Sequence, residues 1–509
     1  MSRRLPVFFA LLAAVFFSAT PLFADDIPLE NIPLVKRQWF EARSPHFIIY
    51  SCGEPVRVFQ VAGQLEQFCG AYSLLAGAQA LVSPPIVVIV FPDAESMKPF
   101  LPLYQGQPES ISGFFVHGDD ENLIVLSLPP AGTETMDMSV VFHEYTHLLL
   151  RRNDRIWPLW LKEGMAEIYS TFATTGYTAY IARPIDHHLR LLAQEPMMPL
   201  TELFSVTHDS PQYNEQSRQG IFYAESWLLT HLLFAGDSPV LRQRFGNYTP
   251  LLRGGEDPVQ AFTNAISLSL PQMEAQMQRY LQAGQFTPIQ LTLPGSAVRL
   301  PNLMARPLTP VENYFRLGDE LLRINRPDDA EQYFTDAQKL APASPLPYEG
   351  LGLLAIRREH PDEALGDFKE SLQHGSTSYL THYYYALKKF QLAETASGGQ
   401  EPLSADTVTE VHDEVLKSIV AMPNFGASHE LFGVLEMDQD GDHQLGEQHL
   451  QLAVQLEPEN LYFQLTLAQA QIADKEPDAA RKTLATLLLP GVEAKLRQQA
   501  GELMEKISE

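Results

Sequence analysis

The chain has 509 residues, of which 45% are hydrophobic and 19% are charged, a composition typical of globular proteins. At about 150 residues per domain, this length predicts two to four domains. Lysine and arginine number 36 against 62 acidic residues, giving a net charge of −26. The charge argues against nucleic acid as a partner, because phosphate binding needs a basic face. The two cysteines, Cys52 and Cys69, are too few for a disulfide framework or a cysteine-based zinc cluster. In an oxidising compartment they can form one disulfide or remain two buried thiols.

The N-terminus has the pattern of a secretory signal. Arg3 and Arg4 precede an apolar run from Leu5 to Phe17, and small residues follow up to Ala24. The run is too short to span a membrane, and its order is typical of a cleaved leader. We therefore expect residues 1–24 to be a signal peptide. The mature protein is then periplasmic or secreted, with no stable membrane span. An uncleaved anchor is the alternative.

Short apolar runs bounded by proline or glycine predict buried strands, and the pattern after residue 136 is mainly helical. Strands followed by helices predict an α+β fold for residues 25–284. A proline-rich stretch, residues 285–311, predicts a linker. The predicted strands are 47–50, 86–91 and 123–126, and a helix is predicted over 58–75.

A repeat follows the predicted linker. Gly318 and Gly352 are 34 residues apart, and so are Phe334 and Phe368. This helix-turn-helix period resembles tetratricopeptide repeats. In such repeats, small residues let paired helices approach and aromatic residues fill the gap between neighbouring repeats. The resemblance implies an all-α solenoid over residues 312–489 that binds a protein partner, with a final helix in 490–509.

Residues 143–147 form an H-E-x-x-H motif in a stretch with helical spacing. Residues i and i+4 of a helix point the same way. His143 and His147 can therefore bind one zinc ion, with Glu144 turned toward a water on the metal. A catalytic zinc site needs a third protein ligand and keeps one position open.

A second pair of residues at helical spacing supplies that ligand. Glu163 and Glu167 are i and i+4 in a segment that also contains Trp157, Trp160 and Leu161. Such an apolar segment is expected to be buried, where carboxylates need partners. One carboxylate can bind the metal, and the other can accept the free N–H of a zinc-bound histidine.

Together the two motifs resemble the gluzincin metallopeptidases. Residues 160–166 read W-L-K-E-G-M-A, which is closest to the peptidase MA-like group and shares the W-L-x-E-G-x-A frame of the M1 aminopeptidases. The resemblance implies a zincin-like fold and one zinc ion per chain. It makes Glu163 the third ligand, Glu167 the carboxylate behind a zinc-bound histidine, and Glu144 the general base in hydrolysis of a peptide or protein substrate. No G-A-M-E-N motif precedes His143, so aminopeptidase activity is not implied.

The resemblance also implies a donor for the oxyanion of the tetrahedral intermediate. In the M1 enzymes this donor is a tyrosine downstream of the zinc glutamate. Tyr223 lies at a comparable distance on a predicted helix, and a core aromatic is an equal alternative. His231 is a weaker candidate and is more often a core residue in such a sequence; Tyr213 is weaker still.

In zincin folds the edge strand above the active site pairs with an extended substrate. We assign this role to residues 122–127, with Leu123, Ile124 and Val125 as substrate-binding residues. The segment Gly113-Phe114-Phe115 is then a partner strand or a rim loop.

Two other patterns have ordinary explanations. Residues 436–447 resemble an EF-hand loop, but they fall where the turn between two repeat helices belongs, so a solvated acidic turn is favoured over calcium binding. His187 and His188 are adjacent and point apart on a helix, which favours a surface pair over a metal site.

Two classes of function follow. The first is an exported zinc metallopeptidase whose repeats bind a substrate or partner. The second is a catalytically inert peptidase-like domain in a repeat scaffold. Inert relatives can lose the base or a ligand at little cost to the fold. Because both motifs are complete here, the sequence favours the enzyme.

Overall fold

The structure is a computed structural model, and the predicted signal lies outside the residues that it describes. Among those residues, no helix combines the length and apolar character needed to cross a membrane. The described residues are 33–77, 85–104, 107–108, 111, 113–130, 137–151, 157–214, 216–298, 303–397, 403–437, 441–489 and 492–507.

Alternating polar and apolar residues, or short apolar runs, form the strands of the N-terminal half. They are β1 Phe40–Arg43, β2 Phe47–Ser51, β3 Ile86–Phe91, β4 Leu103–Tyr104, β5 Gln107–Pro108, β6 Gly113–Val116, β7 Asn122–Ser127, β8 Ala173–Thr175, β9 Thr178–Ile181, β10 Ile289–Thr292 and β11 Arg306–Pro307.

Most helices of the N-terminal half follow the third central strand, β7. Those of the N-terminal half are α1 Pro55–Ala76, α2 Ala94–Met97, α3 Ser139–Leu150, α4 Leu159–Ser170, α5 Asp186–Gln194, α6 Leu200–Leu203, α7 Pro211–Asn214, α8 Gln216–Phe234, α9 Pro239–Phe245, α10 Tyr248–Arg253, α11 Pro258–Ile266, α12 Leu270–Ala283 and α13 Gly295–Val298.

The main sheet has the strand order β11-β1-β2-β3-β7-β6. Its central strands β2, β3 and β7 are parallel, whereas β1, β6 and β11 pair in the antiparallel direction. The three predicted strands are therefore its buried centre, and the helix predicted over 58–75 is α1. The α+β prediction for this half is confirmed.

β3 and β7 carry apolar residues at almost every position, as strands do when both faces of their sheet are buried. Here each face of the sheet is covered by its own core. On β3, Val88 and Val90 face the core that contains α1, α3 and α4. The alternate residues Val87, Ile89 and Phe91 face a second core, which contains the first repeat helices. The sheet thus separates the helices that carry the zinc motifs from the repeats.

The segment predicted as a linker, residues 285–311, contains folded elements over its described parts, 285–298 and 303–311. β10 pairs with β9, and β11 adds a strand to the main sheet beside β1. Ala297 of α13 packs closely against α1. A Cβ added to Gly70 of α1 would lie 2.7 Å from the Cβ of Ala297. Pro288, Pro294, Pro307 and Pro310 lie at the ends of elements or beside them, and do not mark a free connector.

The C-terminal half consists of helix pairs and one final helix. The first three pairs begin 34 to 35 residues apart, at Pro310, Pro345 and Tyr379, as the period predicts, whereas the fourth begins 47 residues further on, at Gly426. The helices are α14 Pro310–Arg323, α15 Pro327–Leu340, α16 Pro345–Arg357, α17 Pro361–Gln373, α18 Tyr379–Ser397, α19 Ala405–Ala421, α20 Gly426–Glu436, α21 His443–Leu456, α22 Leu461–Ala473, α23 Pro477–Leu487 and α24 Ala494–Lys506.

Small and aromatic residues set the spacing of the first repeats. A Cβ on Gly318 would lie 2.7 Å from the Phe334 ring, and one on Gly350 of the next repeat would lie 2.3 Å from the same ring. Phe334 therefore fills the space between two consecutive repeats, and Phe368 packs on Gly352 in the same way. This contact explains why the period is visible in the sequence.

The two cysteines are both unpaired. Cys69 is buried in the core under α1, and Cys52 packs against the core on the other face of the sheet. Because the sheet separates the two cysteines, they do not form a disulfide and are two free thiols.

Candidate metal centre

Helix α3 carries the H-E-x-x-H motif, and its apolar face fixes it in the core. Phe142 and Tyr145 are buried, and the Phe142 ring stacks on Phe68 of α1 with ring centroids 4.6 Å apart. His143 and His147 lie one turn apart on the helix and are half-buried. The packing thus leaves both imidazoles accessible from the side of α4.

Helix α4 carries the two glutamates and packs tightly on α8. A Cβ on Gly164 would lie 2.1 Å from Thr230 Oγ1 and 2.4 Å from the Ser226 carbonyl oxygen. Glycine is therefore required at this helix crossing. The crossing holds α4 in the position from which Glu163 and Glu167 face α3.

Three side-chain atoms form a nearly equilateral triangle between α3 and α4. His143 Nε2 and His147 Nε2 are 3.2 Å apart, and Glu163 Oε2 lies 3.4 Å and 3.3 Å from them. Tetrahedral zinc with bonds of about 2.0–2.1 Å separates its ligand atoms by about 3.3 Å. The three atoms are therefore spaced as three ligands of one zinc ion would be.

Burial and charge support the same conclusion. Glu163 is 2% exposed, and its Oε2 atom has no hydrogen-bond donor in good geometry among the described residues. Burial acts to raise the pKa of Glu163, but His143 and His147 outweigh it and lower the pKa to about 2. A buried carboxylate held ionised, with an oxygen that lacks a hydrogen bond, is suited to a cation.

Glu167 connects His143 to a histidine from another helix. Its Oε1 atom lies 3.5 Å from His143 Nδ1, and its Oε2 atom lies 3.2 Å from His188 Nε2. This is the position predicted for the carboxylate behind a zinc-bound histidine. Burial acts to raise the pKa of Glu167, and His188 and His143 outweigh it, so the pKa is lowered.

The prediction of a surface pair at His187 and His188 is wrong for one of the two residues. His187 is exposed, but His188 is 3% exposed and faces Glu167. Adjacent helical residues do point apart, and here the side chain of His188 points toward Glu167 while that of His187 points to solvent. Nothing in the local sequence indicates which of the two histidines is the buried one.

Two tyrosines lie beside the triangle. The Tyr213 hydroxyl donates to Glu163 Oε1 at 3.5 Å, and a hydrogen bond also joins Tyr213 and Tyr223. The Tyr223 ring centroid lies 6.3 Å from that of His143. Burial and the charge of Glu163 raise the pKa of Tyr213, which keeps its hydroxyl protonated. The structure thus brings both predicted tyrosines to the site, and Tyr213 is the one that contacts a candidate ligand.

His231 does not belong to this site. It is fully buried; Nδ1 lies 2.8 Å from the Tyr280 hydroxyl and Nε2 lies 2.9 Å from the Ala182 carbonyl oxygen. Because both ring nitrogens have partners in the core, His231 is a structural residue and not an oxyanion donor.

A cleft of about 1000 Å³ reaches the triangle at His143, the one member of the three that lines it. Glu144 is half-buried and lines this cleft together with Tyr223 and the exposed Arg183. Its neighbour His143 contributes to both the cleft and the triangle. The position of Glu144 gives its carboxylate access to water beside the candidate metal position.

The prediction that residues 122–127 form the substrate-binding edge is wrong. β7 pairs with β3 on one side and with β6 on the other, and Leu123, Ile124 and Val125 are at most 1% exposed. A strand whose backbone is paired on both sides cannot add a substrate strand. The edge strand beside it is β6, Gly113–Val116. Of the two alternatives predicted for Gly113-Phe114-Phe115, the partner strand is the one observed.

The EF-hand-like segment lies at the predicted turn between α20 and α21, and residues 438–440 fall outside the described residues. Glu436 Oε2 accepts the Asp442 backbone N–H, and Asp442 in turn caps α21 by accepting the N–H of Leu445. Two acids of the pattern are therefore engaged in closing the turn.

Comparison with known proteins identifies the repeats. Residues 439–500 match the family model of the tetratricopeptide repeat. No curated protein matches the chain. The family match confirms the prediction of tetratricopeptide repeats, whereas the gluzincin domain remains a prediction.

Several solved structures resemble the chain over the extent of such repeats. YrrB, described as a TPR protein with an unusual peptide-binding site, is 14% identical with a TM-score of 0.30, covering 37% of this chain and 91% of YrrB. MamA from Desulfovibrio magneticus RS-1 is 16% identical with a TM-score of 0.28, covering 35% and 93%. Pseudomonas aeruginosa PilF is 13% identical with a TM-score of 0.30, covering 39% and 88%. Similarity of this extent carries no information on activity.

Proposed function

We propose that the protein is a zinc-dependent metallopeptidase. The observation that carries the proposal is the triangle of His143 Nε2, His147 Nε2 and Glu163 Oε2, with edges of 3.2 to 3.4 Å. Three protein ligands rather than four are typical of catalytic zinc, and one of the three, His143, also lines the cleft.

Zinc bound there would polarise the scissile carbonyl and lower the pKa of water toward neutrality. Glu144, at the cleft, accepts the proton of the attacking water and passes it to the leaving amine. Glu167 holds His143 through Nδ1, which fixes the ring so that Nε2 faces the metal position. The residues of this chain thus orient the ligands and move the proton.

Two further roles complete the proposal. Tyr223 donates a hydrogen bond to the oxyanion of the tetrahedral intermediate, and the linked hydroxyl of Tyr213 keeps Glu163 in place. An extended peptide substrate pairs with the edge strand β6, since β7 is not accessible. Export by the predicted signal, residues 1–24, would place this activity in the periplasm or outside the cell.

The first experiment measures zinc by mass spectrometry in the purified wild type, in Glu163→Ala and in Glu195→Ala, an exposed glutamate outside the triangle. We expect about one zinc per chain in the wild type and in Glu195→Ala, and a sharp loss in Glu163→Ala. Hydrolysis of denatured casein should then stop when a chelator is added and return with zinc. Full zinc in Glu163→Ala would overturn the ligand assignment.

The second candidate is a scaffold in which the peptidase-like domain is inert and the repeats bind a protein partner. It is favoured by the family match, which lies wholly within the repeats at residues 439–500. Absence of zinc from the wild type even after zinc is supplied would make this the leading function. Zinc without hydrolysis of casein or of a mixed peptide library would favour it as well.

A further inference from the structure

The turn between β6 and β7 is held by the repeats. Arg323 of α14 donates from Nη1 to Asp120 Oδ1 at 2.7 Å and to the Glu121 carbonyl oxygen at 3.2 Å. From α18, the Tyr384 hydroxyl donates to Asp120 Oδ2 at 2.9 Å, and the Tyr379 hydroxyl donates to the Asp120 carbonyl oxygen at 2.8 Å. Helices from the first and third repeats thus bind one aspartate from two sides.

Charge and burial make this contact stronger than a surface ion pair. The Asp120 and Arg323 side chains are 14% and 9% exposed, and Glu121 lies 3.6 Å from Arg316 and 3.4 Å from Arg323. Burial acts to raise the pKa of Asp120, but Arg323 outweighs it and the pKa is lowered. Removing one member of such a buried pair leaves the other charge uncompensated.

The turn also fits the repeats in shape. A Cβ on Gly118 would lie 2.3 Å from the Glu121 carbonyl oxygen and 3.2 Å from Arg323 Nη1. A side chain at position 118 would therefore separate the turn from the guanidinium that holds it.

This turn leads directly to the edge strand beside the metal centre. β6 has four residues and is the edge strand of the sheet, with β7 as its one strand partner among the described residues; a short edge strand held on one side has few backbone hydrogen bonds to keep it in place. The start of β6 lies against the motif helix: a Cβ on Gly113 would lie 3.5 Å from Val141 Cγ2 of α3. The end of β6 leads into the turn held by Asp120.

We propose that the first three repeats position β6, so that Asp120 is a positioning residue for the peptide bound at this edge. The repeats hold one end of the strand by the four hydrogen bonds to Asp120 and Glu121, and α3 supports the other end. The consequence for substrate rests on the proposed function; the effect on the strand does not. The parts of α14 and α18 that bind the turn are thereby occupied by the chain itself.

Hydrogen–deuterium exchange of the full-length protein tests the proposal. Asp120→Asn removes the charge that Arg323 holds, and Asp119→Asn removes the same charge from an exposed neighbour in the same turn. We expect about tenfold faster exchange in peptides covering residues 113–116 for Asp120→Asn, as loss of a charge-assisted hydrogen bond allows local opening. Peptides of α1 and α12 should be unchanged, and Asp119→Asn should resemble the wild type.

A milder variant covers the case in which Asp120→Asn fails to fold. Tyr384→Phe removes one hydroxyl donor and should raise exchange at 113–116 by a smaller factor in the same peptides. Equal exchange at 113–116 in the wild type, Asp120→Asn and Tyr384→Phe would overturn the proposal. Exchange raised uniformly over the whole chain would also overturn it, since that indicates general destabilisation.

Kinetics separate this proposal from the proposed function. If casein-derived peptides are hydrolysed, Asp120→Asn should raise KM severalfold at unchanged zinc content and with kcat within about twofold. A fall in kcat with unchanged KM would overturn the positioning role. A wild type without zinc or activity, in which Asp120→Asn still raises exchange at 113–116, would support the hold on β6 and refute the peptidase.

Discussion

Each glutamate of helix α4 uses its two carboxylate oxygens for different partners. Glu163 directs Oε2 to the two motif histidines and Oε1 to Tyr213, while Glu167 directs Oε1 to His143 and Oε2 to His188. A carboxylate with a neighbouring group at each oxygen has few orientations open to it, which would hold the candidate ligands in place before a metal binds. The function of each residue therefore depends on its partners on other helices.

Glu144→Gln tests the proton transfer. The amide keeps the size of the side chain but cannot accept a proton, so we expect hydrolysis to fall by about 10²–10⁴-fold or more. Zinc content should stay at the wild-type level because Glu144 is not one of the three ligands. The measurements are zinc by mass spectrometry and peptide hydrolysis on the same sample. Retained hydrolysis would remove Glu144 as the base.

The two tyrosines should behave differently when their hydroxyls are removed. Tyr223→Phe should leave zinc bound and lower kcat by about 10²–10³-fold, the loss typical of one oxyanion donor. Tyr213→Phe should weaken zinc binding by about tenfold, because it releases Glu163. Zinc titration in a competing chelator and steady-state kinetics separate the two effects. An unchanged kcat in Tyr223→Phe would make that residue a core aromatic.

At this scale the sequence predicts the residues that share a helix. His143 and His147, and Glu163 and Glu167, are one turn apart, so their common direction follows from helical geometry alone. His188 and the contact of Tyr213 with Glu163 arise from segments that meet only in the folded chain. The error at Leu123, Ile124 and Val125 has a similar cause, because an apolar run indicates burial but not the position of a strand within a sheet.

Helix α8 packs against α4, the helix that carries Glu163 and Glu167, and so helps to hold it in position. It packs against α4 at Gly164 and carries both Tyr223 and the fully buried Glu225. Glu225 Oε1 accepts the Met198 backbone N–H at 2.5 Å, whereas Oε2 has no hydrogen-bond partner among the described residues. Helix α8 therefore combines the contact with Gly164, the candidate oxyanion donor Tyr223 and the buried Glu225.

Gly164→Ala should push α4 away from α8. The added Cβ would lie within 2.4 Å of the Ser226 carbonyl oxygen, and overpacking of this kind costs about 1–3 kcal/mol of the free energy of unfolding. Zinc affinity should fall as well, because α4 carries Glu163. Gly366→Ala is the control: no atom lies within 4 Å of its Cβ position on α17, so stability should be equal or higher by about 0.5–1 kcal/mol. Urea denaturation compares the two, and equal stabilities would refute the close contact.

Glu225 should make the stability of the protein fall as pH rises. Burial, with Glu202 and Glu274 nearby, raises the pKa of Glu225 to about 8, above its value of about 4.5 in the unfolded chain. Between these values the folded state binds the extra proton, so the free energy of unfolding decreases by up to about 1.4 kcal/mol per pH unit. Glu225→Gln should remove this slope and be more stable than the wild type above pH 8. Urea denaturation at pH 5, 6.5 and 8 measures it, and identical slopes in both proteins would contradict the assignment.

The elements themselves follow well from the sequence. The central strands, α1 and the helices of the first repeats lie where apolar spacing and the 34-residue period predict them. The exception is residues 285–311, where strands of two to four residues are too short for a periodic pattern and form only because a sheet edge is available to them.

At the scale of the whole molecule, the repeats cover one face of the main sheet. Val87, Ile89 and Phe91 of β3 belong to the same core as Phe315 of α14 and Phe334 of α15. The first repeats are therefore part of the core of the N-terminal half, in contrast to the separate domain that a linker predicts. The sequence could not reveal this, since a fully apolar strand does not say what covers each face.

We therefore expect a chain truncated after residue 458 to fold and one truncated after residue 309 to misfold. A chain that ends at residue 309 exposes the apolar residues of β3 and β7 that face the repeats, each worth about 1.5–3 kcal/mol of burial. It should aggregate or bind a hydrophobic dye. A chain that ends at residue 458 keeps the repeats that contact the sheet and should unfold cooperatively. Calorimetry and dye binding distinguish them, and a well-folded 309-residue chain would contradict the shared core.

The repeats reach the sheet at both of its edges. The chain enters them through β11, which pairs at one edge, and they return to Asp120 beyond β6 at the other edge. A mechanical load applied to the C-terminal repeats would therefore be divided between two attachment points and would not peel the sheet from a single strand. Tension from a bound partner would reach the strand beside the candidate metal centre through Asp120.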